Sequence, residues 1–229
     1  MQCVIVCAGK GTRMRPLTET TPKPLLLVCG KSILQHIVEA LPNEITELIL
    51  VVGYKKEQIE AFCGSEFLGK KVQYVEQSNY AGGTGDALLQ AKNLIMGKFL
   101  FMYADDIHGR KALAEVVRLD HAMLGMHSST PELFGVLEQN EDGTLKQIVE
   151  KPEYPTSTMV NIGGFVVDPS IFSYVVPISK FGELLVTDML NEYAKEYPVK
   201  IIEQTQWLPI GYPEHIIEAE AVLCPSEID

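Results

Sequence analysis

Four short apolar runs, at 3–7, 48–52, 72–75 and 99–103, are separated by longer stretches with helical spacing, and this alternation restricts the first half of the chain more than any other feature. Short runs of this kind, apolar throughout except at Gln73, predict strands covered on both sides. The stretches 32–41, 56–63 and 84–94 predict helices between them, with Ser32 and Thr84 as N-caps. Strand, helix and strand repeated in this way define βαβ units around a mostly parallel sheet, an α/β doubly wound layout. After residue 110 the pattern predicts one more helix, then a hairpin turning at Glu141, Asp142 and Gly143. Next come a strand at "NIGGFVVD", a helix at "ELLVTDMLNEYAKE", a strand at "VKIIEQ" and a last helix opened by Pro213.

A chain of 229 residues can bury one core, and no linker or low-complexity tract divides it, so one domain over 1–229 is expected. The formal charge of −11 argues against a nucleic-acid or anionic-membrane partner. No leader pattern and no run of apolar residues long enough to span a bilayer is visible, which predicts a cytoplasmic protein. Five cysteines, at 3, 7, 29, 63 and 224, are odd in number and lack C-x-x-C spacing, and they read as reduced thiols.

Against that acidic background, residues 8–26, "AGKGTRMRPLTETTPKPLL", hold four cations and only Glu19 as an acid. The stretch follows the first predicted strand, where α/β sheets bind ligands. Gly9 and Gly11 let backbone N–H groups approach a phosphate, and Arg13 and Lys23 supply fixed charge. Two familiar phosphate loops fail here. A dinucleotide G-x-G-x-x-G needs glycine where Met14 stands, and a Walker loop ending in "GKS" needs glycine where Leu25 stands.

The remaining pattern, G-x-G-T-R-M-R-P-L-T followed by P-K-P-L, resembles the sugar-1-phosphate nucleotidyltransferases, among them thymidylyl- and uridylyltransferases acting on glucose 1-phosphate. "EQSNYAGGTGDAL", "MYADDI", "FGVLE", "VEKP", "NIGGF", "GELLVTD" and "WLPIGYPEHIIEA" continue the resemblance in the family's order. It implies a Rossmann-like α/β fold with a smaller sugar-binding sheet element, 1–110 serving mainly the nucleotide and 111–229 mainly the sugar phosphate. The C-terminal left-handed β-helix of larger members has no room in this chain. A homo-oligomer is compatible with the resemblance.

The implied reaction transfers a nucleotidyl group from a nucleoside triphosphate, UTP or dTTP favoured, to a sugar 1-phosphate. The resemblance assigns Arg13 and Lys23 to catalysis, and Ala8, Gly9, Gly11, Thr12, Gln77, Gly83 and Thr84 to the nucleotide. Gln77 would read a pyrimidine, since an amide matches both its N3–H and a neighbouring carbonyl. Gly135, Glu150, Lys151 and Asn161 would take the sugar phosphate, and Asp105 would hold Mg²⁺. Arg15 reads equally well as a solvent-facing cation, and Asp106 as a neighbour pointing elsewhere.

The chain departs from the family at Pro209, where related enzymes usually carry a second metal-binding aspartate. Three readings follow: Asp105 and phosphates suffice, another carboxylate such as Asp188 or Glu214 takes over, or the protein binds sugar nucleotides without turnover. A nicotinamide dehydrogenase is the outside reading on fold alone.

Overall fold

A computed structural model describes residues 1–224. In chain order the strands and helices are β1 (Gln2–Val6), β2 (Leu27–Val28), β3 (Lys31–Ser32), α1 (Ile33–Ala40), β4 (Glu47–Val52), α2 (Lys56–Cys63), β5 (Glu66–Phe67), β6 (Lys70–Glu76), α3 (Gly83–Ala91) and β7 (Phe99–Tyr103). They continue as β8 (Asp106–His108), α4 (Arg110–Val116), β9 (Ala122–His127), β10 (Gly135–Gln139), β11 (Leu145–Glu150), β12 (Met159–Val167), α5 (Val186–Tyr193), β13 (Lys200–Glu203), β14 (Trp207–Pro209) and α6 (Glu214–Leu223).

Strand β1 lies parallel between β4 and β7, and β6 extends the sheet beyond β4. Along β4, Leu48, Leu50 and Val52 enter one core while Ile49 and Val51 enter the other. Burial on both faces is the reason the buried stretches 3–5 of β1, 48–52 of β4 and 99–102 of β7 are apolar throughout, whereas β6 carries the polar Gln73 and is partly exposed. Among the described residues no helix is long and apolar enough to cross a membrane.

The second half is built onto the same sheet. Nine-residue β12 pairs antiparallel with β7 through Gly164–Val167, with β9 along its other edge, and with β10 at Val136↔Val160. The predicted hairpin forms as β10 and β11, so it extends the central sheet. Two separate small antiparallel ribbons, β2 with β3 and β8 with β14, complete the architecture.

Two expectations are corrected. Ser32 caps α1, its hydroxyl accepting from the Gln35 N–H at 3.0 Å, but Thr84 does not cap α3: Gly82 holds that position, and the Thr84 hydroxyl accepts from the Val186 N–H at 3.1 Å. The cysteines are not all reduced. Cys29 and Cys224 form a disulfide across 195 residues of sequence, while Cys3, Cys7 and Cys63 are free and buried. Parity and local spacing carry no information about a pair this distant. What brings the two together is the tight turn between β2 and β3, with Cys29 and Gly30 both left-handed (φ 51° and 73°), set against the end of α6.

Candidate active site

The loop after β1 and the loop after β7 meet over the carboxyl ends of the central strands. Gly11 is left-handed (φ 58°), and a Cβ there would lie 3.0 Å from the Thr18 Cγ2 and 3.1 Å from the Lys23 Cβ. Its carbonyl accepts from the Thr18 hydroxyl at 2.8 Å and from the Met14 N–H at 2.9 Å, so glycine here is a folding requirement. Gly9 differs: it is exposed, with nothing within 4 Å of a Cβ, and its space is open to a ligand. Between the loops lies a cleft of about 280 Å³ lined by Gly9, Gly11, Thr12, Arg13, Lys23, Thr84, Tyr103, Asp105 and Gly211, among others.

At the centre of the cleft Lys23, itself buried, donates to Asp105 at 2.6 Å. Arg13 is exposed and lies over the ring of Tyr212, 5.2 Å from its centroid. Ala8 is buried beside the cleft, its carbonyl accepting from the Tyr54 N–H at 3.0 Å. Gln77 is buried and donates to the Gly83 carbonyl at 2.9 Å and to Asp86 at 2.8 Å, which fixes its amide against the start of α3. Gly83 is left-handed (φ 87°) and packs on the Leu184 carbonyl, leaving no room for a side chain.

The sugar-side candidates gather on β10, β11 and β12. Gly135 stands opposite Glu150 in the ladder, and a Cβ on it would come within 3.0 Å of the Glu150 carboxylate and 3.7 Å of the Asn161 Cβ. Burial pushes the Glu150 carboxyl above its usual range, while Lys151 beside it pulls the other way. Lys151 adopts φ 45° and donates its N–H to the Phe134 carbonyl at 3.0 Å. The Asn161 side chain accepts from the Gly163 N–H at 3.0 Å.

Pro209 faces Asp106 directly across the β8–β14 ribbon. Asp106 is buried and accepts from the Trp207 indole N–H at 2.9 Å; burial, with Asp105 alongside, drives its carboxyl well above the usual range. Glu214 is exposed at the start of α6, and Asp188, on α5, is pushed up by burial. Cys7 lines the cleft, but burial holds its thiol protonated, which removes it as a nucleophile.

Tyr103, Gly211 and Tyr212 were not among the residues read from sequence. Tyr103 carries a signal, a phenol ending the apolar run "FLFMY" one residue before Ala104–Asp105. Tyr103 lines the cleft, and its phenol holds its proton more tightly than usual, mainly through burial, with Glu150, Asp106 and Asp105 adding to the effect.

A cleft at the carboxyl ends of a parallel sheet, with a glycine loop, a buried lysine and an adjacent carboxylate, defines a nucleotide-handling α/β protein. The chain belongs to the nucleotidyl transferase family, whose model matches residues 2–225. It is 36% identical over 226 residues to the bifunctional protein GlmU of Methanocaldococcus jannaschii, covering 97% of this chain and 54% of that one. It is also 36% identical over 233 residues to the UTP–glucose-1-phosphate uridylyltransferase AglF of Haloferax volcanii, covering 96% and 95%. This chain therefore spans about half the length of GlmU and nearly all of AglF.

Among solved structures, a protein assigned as a glucose-1-phosphate thymidylyltransferase from Bacillus anthracis, crystallised with sucrose, superposes with a TM-score of 0.84 at 26% identity, covering 100% of this chain and 96% of that one. A UDP-glucose pyrophosphorylase complexed with UDP-glucose shares the fold with a TM-score of 0.86 at 24% identity, covering 96% and 97%.

Proposed function

We propose that this chain joins a nucleoside triphosphate to a sugar 1-phosphate, with UTP or dTTP and glucose 1-phosphate as the favoured pair, releasing a nucleotide sugar and pyrophosphate. The observation that carries the reading is the 2.6 Å contact between Lys23 and Asp105. On this reading the cation that would neutralise phosphate and the carboxylate that would hold a metal ion meet where the loop after β1 approaches the loop after β7.

In the reaction an oxygen of the sugar phosphate attacks the α-phosphorus. That P–O bond forms as the bond to the bridging oxygen of the β-phosphate breaks, and pyrophosphate leaves with the electron pair. No protein nucleophile is required, so the side chains position and neutralise. The amides of the Gly9–Gly11 loop and Arg13 receive the triphosphate, Arg13 by its planar fork. Lys23 stands between the two anions. Glu150 accepts from sugar hydroxyls, Lys151 holds the sugar phosphate, and the Gly83–Thr84 backbone faces the base, with the Gln77 amide nitrogen committed behind it to Gly83 and Asp86.

Asp105 fits Mg²⁺ by its chemistry: one carboxylate oxygen meets Lys23, and the other has no hydrogen-bond partner among the described residues. No group of three or more His, Cys, Asp or Glu side chains assembles for a metal among the described residues, so Asp105 with substrate phosphates and water would hold the ion. When bound, the ion supplies positive charge at the transferring group.

Pro209 favours a second reading, a sugar-nucleotide binder without turnover. A matrix of nucleoside triphosphates against sugar 1-phosphates, read by pyrophosphate release over a Mg²⁺ series, decides between them. Turnover with UTP or dTTP and glucose 1-phosphate is expected in the native chain. No turnover in any pair, with activity appearing in Pro209→Asp, would establish the binder instead.

A further inference from the structure

The cations of the phosphate-facing loop are held in an unusual way for an acidic protein. Lys10 lies over the ring of Tyr80, 5.5 Å from its centroid, and Arg13 lies over Tyr212 at 5.2 Å. Among the described residues neither takes part in a salt bridge. Lys23 shares its charge with the Asp105 carboxylate, whereas no ion pair offsets the charge of Lys10 or Arg13 among the described residues. An aromatic face attracts and orders a cation while leaving its net charge intact.

Tyr212 is itself well placed to order Arg13. It follows Gly211, which lines the cleft, and Ile210, whose N–H donates to the Asp105 carbonyl at 2.8 Å. The ring of Tyr212 meets the ring of His215 edge to face at 5.5 Å. His215 Nδ1 lies 2.8 Å from the Pro209 carbonyl and 3.1 Å from the Gly211 nitrogen, so either neutral tautomer bonds this short stretch. Protonated on Nδ1, the ring donates to Pro209; otherwise it accepts from Gly211. The same five residues thus connect the backbone of Asp105, the face beneath Arg13 and the first turn of α6.

We propose that Tyr212 is a positioning residue for the nucleoside triphosphate: its ring, braced by His215, pre-orders the Arg13 guanidinium at the mouth of the cleft without neutralising it. The inference rests on the nucleotidyl-transfer reading above. An exposed arginine left free would lose most of its side-chain freedom on meeting the triphosphate, and pre-ordering lowers that cost. The phenol hydroxyl has no part in this; the π face does.

The test measures UTP affinity by calorimetry without sugar phosphate, and initial rates of pyrophosphate release with UTP and glucose 1-phosphate. Tyr212→Leu should weaken UTP binding and raise its KM about three- to fivefold, leaving the KM for glucose 1-phosphate within about twofold. Tyr212→Phe and Tyr212→Trp, which keep a ring, should stay within about twofold of the native chain throughout. All three should melt at the native temperature, because Tyr212 is 42% exposed. Native-like UTP binding in Tyr212→Leu overturns the proposal, as does an equal loss in Tyr212→Phe. If the native chain binds UTP but never releases pyrophosphate, the transfer reading fails alone and the binding series still decides the role of Tyr212. A native chain that binds no nucleoside triphosphate overturns both.

Discussion

Lys23 and Arg13 stand in different surroundings although both are cations of one loop. Lys23 is buried and already paired with Asp105, whereas Arg13 is exposed and reaches over Tyr212. Removing Arg13 therefore leaves no buried partner stranded. Arg13→Ala should fold as the native chain does, by circular dichroism and melting, while turnover falls at least about a hundredfold, roughly 3 kcal/mol of lost transition-state stabilisation. Near-normal turnover would withdraw Arg13 from the site. His108 makes a separate prediction, about pH. It is buried opposite Trp207, its Nδ1 accepts from the Gln204 amide at 2.8 Å, and its Nε2 has no partner among the described residues. The tautomer follows from Gln204, whose carbonyl oxygen is taken by the Gly109 N–H at 2.8 Å, so the amide nitrogen must face the ring. Burial lowers the imidazole to about 4. As pH falls through the ordinary histidine value, the unfolded chain takes up the proton and the folded chain does not, so stability declines until about pH 4. The expected loss is about 3 kcal/mol. Urea unfolding at pH 7 and pH 4 should show this decline in the native chain and a correspondingly smaller one in His108→Gln; equal declines would refute the assignment.

At the scale of elements, the strands and helices of the first half were legible because burial on two faces leaves its mark residue by residue. Phe99–Tyr103 and Lys56–Cys63 form with the bounds that their patterns predict. The small ribbons were not legible, since β2, β3, β8 and β14 each have two or three residues and show no period. Strand β9 is hidden for another reason. Gly125 interrupts its apolar run, and the structure explains that glycine: a Cβ would come within 2.9 Å of the Met159 sulfur and 3.0 Å of Ile201 and Leu137. The disulfide belongs to the same class of long-range facts. It ties α6 to the β2–β3 turn, and the Cys29 N–H also donates to the Glu220 carboxylate at 3.2 Å. A helix whose only fully buried residue is Ala219 depends heavily on such a tether. Cys224→Ser, or a dithiol reductant on the native chain, should lower unfolding stability by about 2–4 kcal/mol in denaturant titrations. A smaller loss, about 1 kcal/mol, is expected for Ser32→Ala, which removes the hydroxyl capping α1. Unchanged midpoints in both variants would mean that neither end of these helices limits unfolding.

For the whole molecule, the family resemblance implies a division by task, with residues 1–110 expected to serve mainly the nucleotide and 111–229 mainly the sugar phosphate. Task and folding unit need not coincide. The cationic loop stood out in the sequence because charge and glycine after a strand are local signals, and Asp105 was proposed only through the family resemblance. The role of β12 was not, because a strand's partners are chosen by the rest of the sheet. Strand β12 is paired with β7 of the first half through Gly164–Val167 and with β9 and β10 of the second half, and α5 clamps β11 through the Asn191 side chain, which accepts from the Ile148 N–H at 2.6 Å and donates to its carbonyl at 2.9 Å. Helix α5 also packs on α3, so the second half grips the first from the sheet and from its helical layer. Two halves joined by a shared strand cannot separate without breaking a central ladder, so they should unfold as one. Trp207, the single tryptophan, lies in the second half and packs edge to face on Phe134, so its fluorescence reports local structure there, while far-ultraviolet circular dichroism reports the whole chain. With the disulfide intact, urea titrations followed by the two signals should coincide in midpoint and slope. A fluorescence transition at lower urea than the dichroism transition would instead show that the second half melts by itself, and that residues 1–110 form a separate folding unit beneath it.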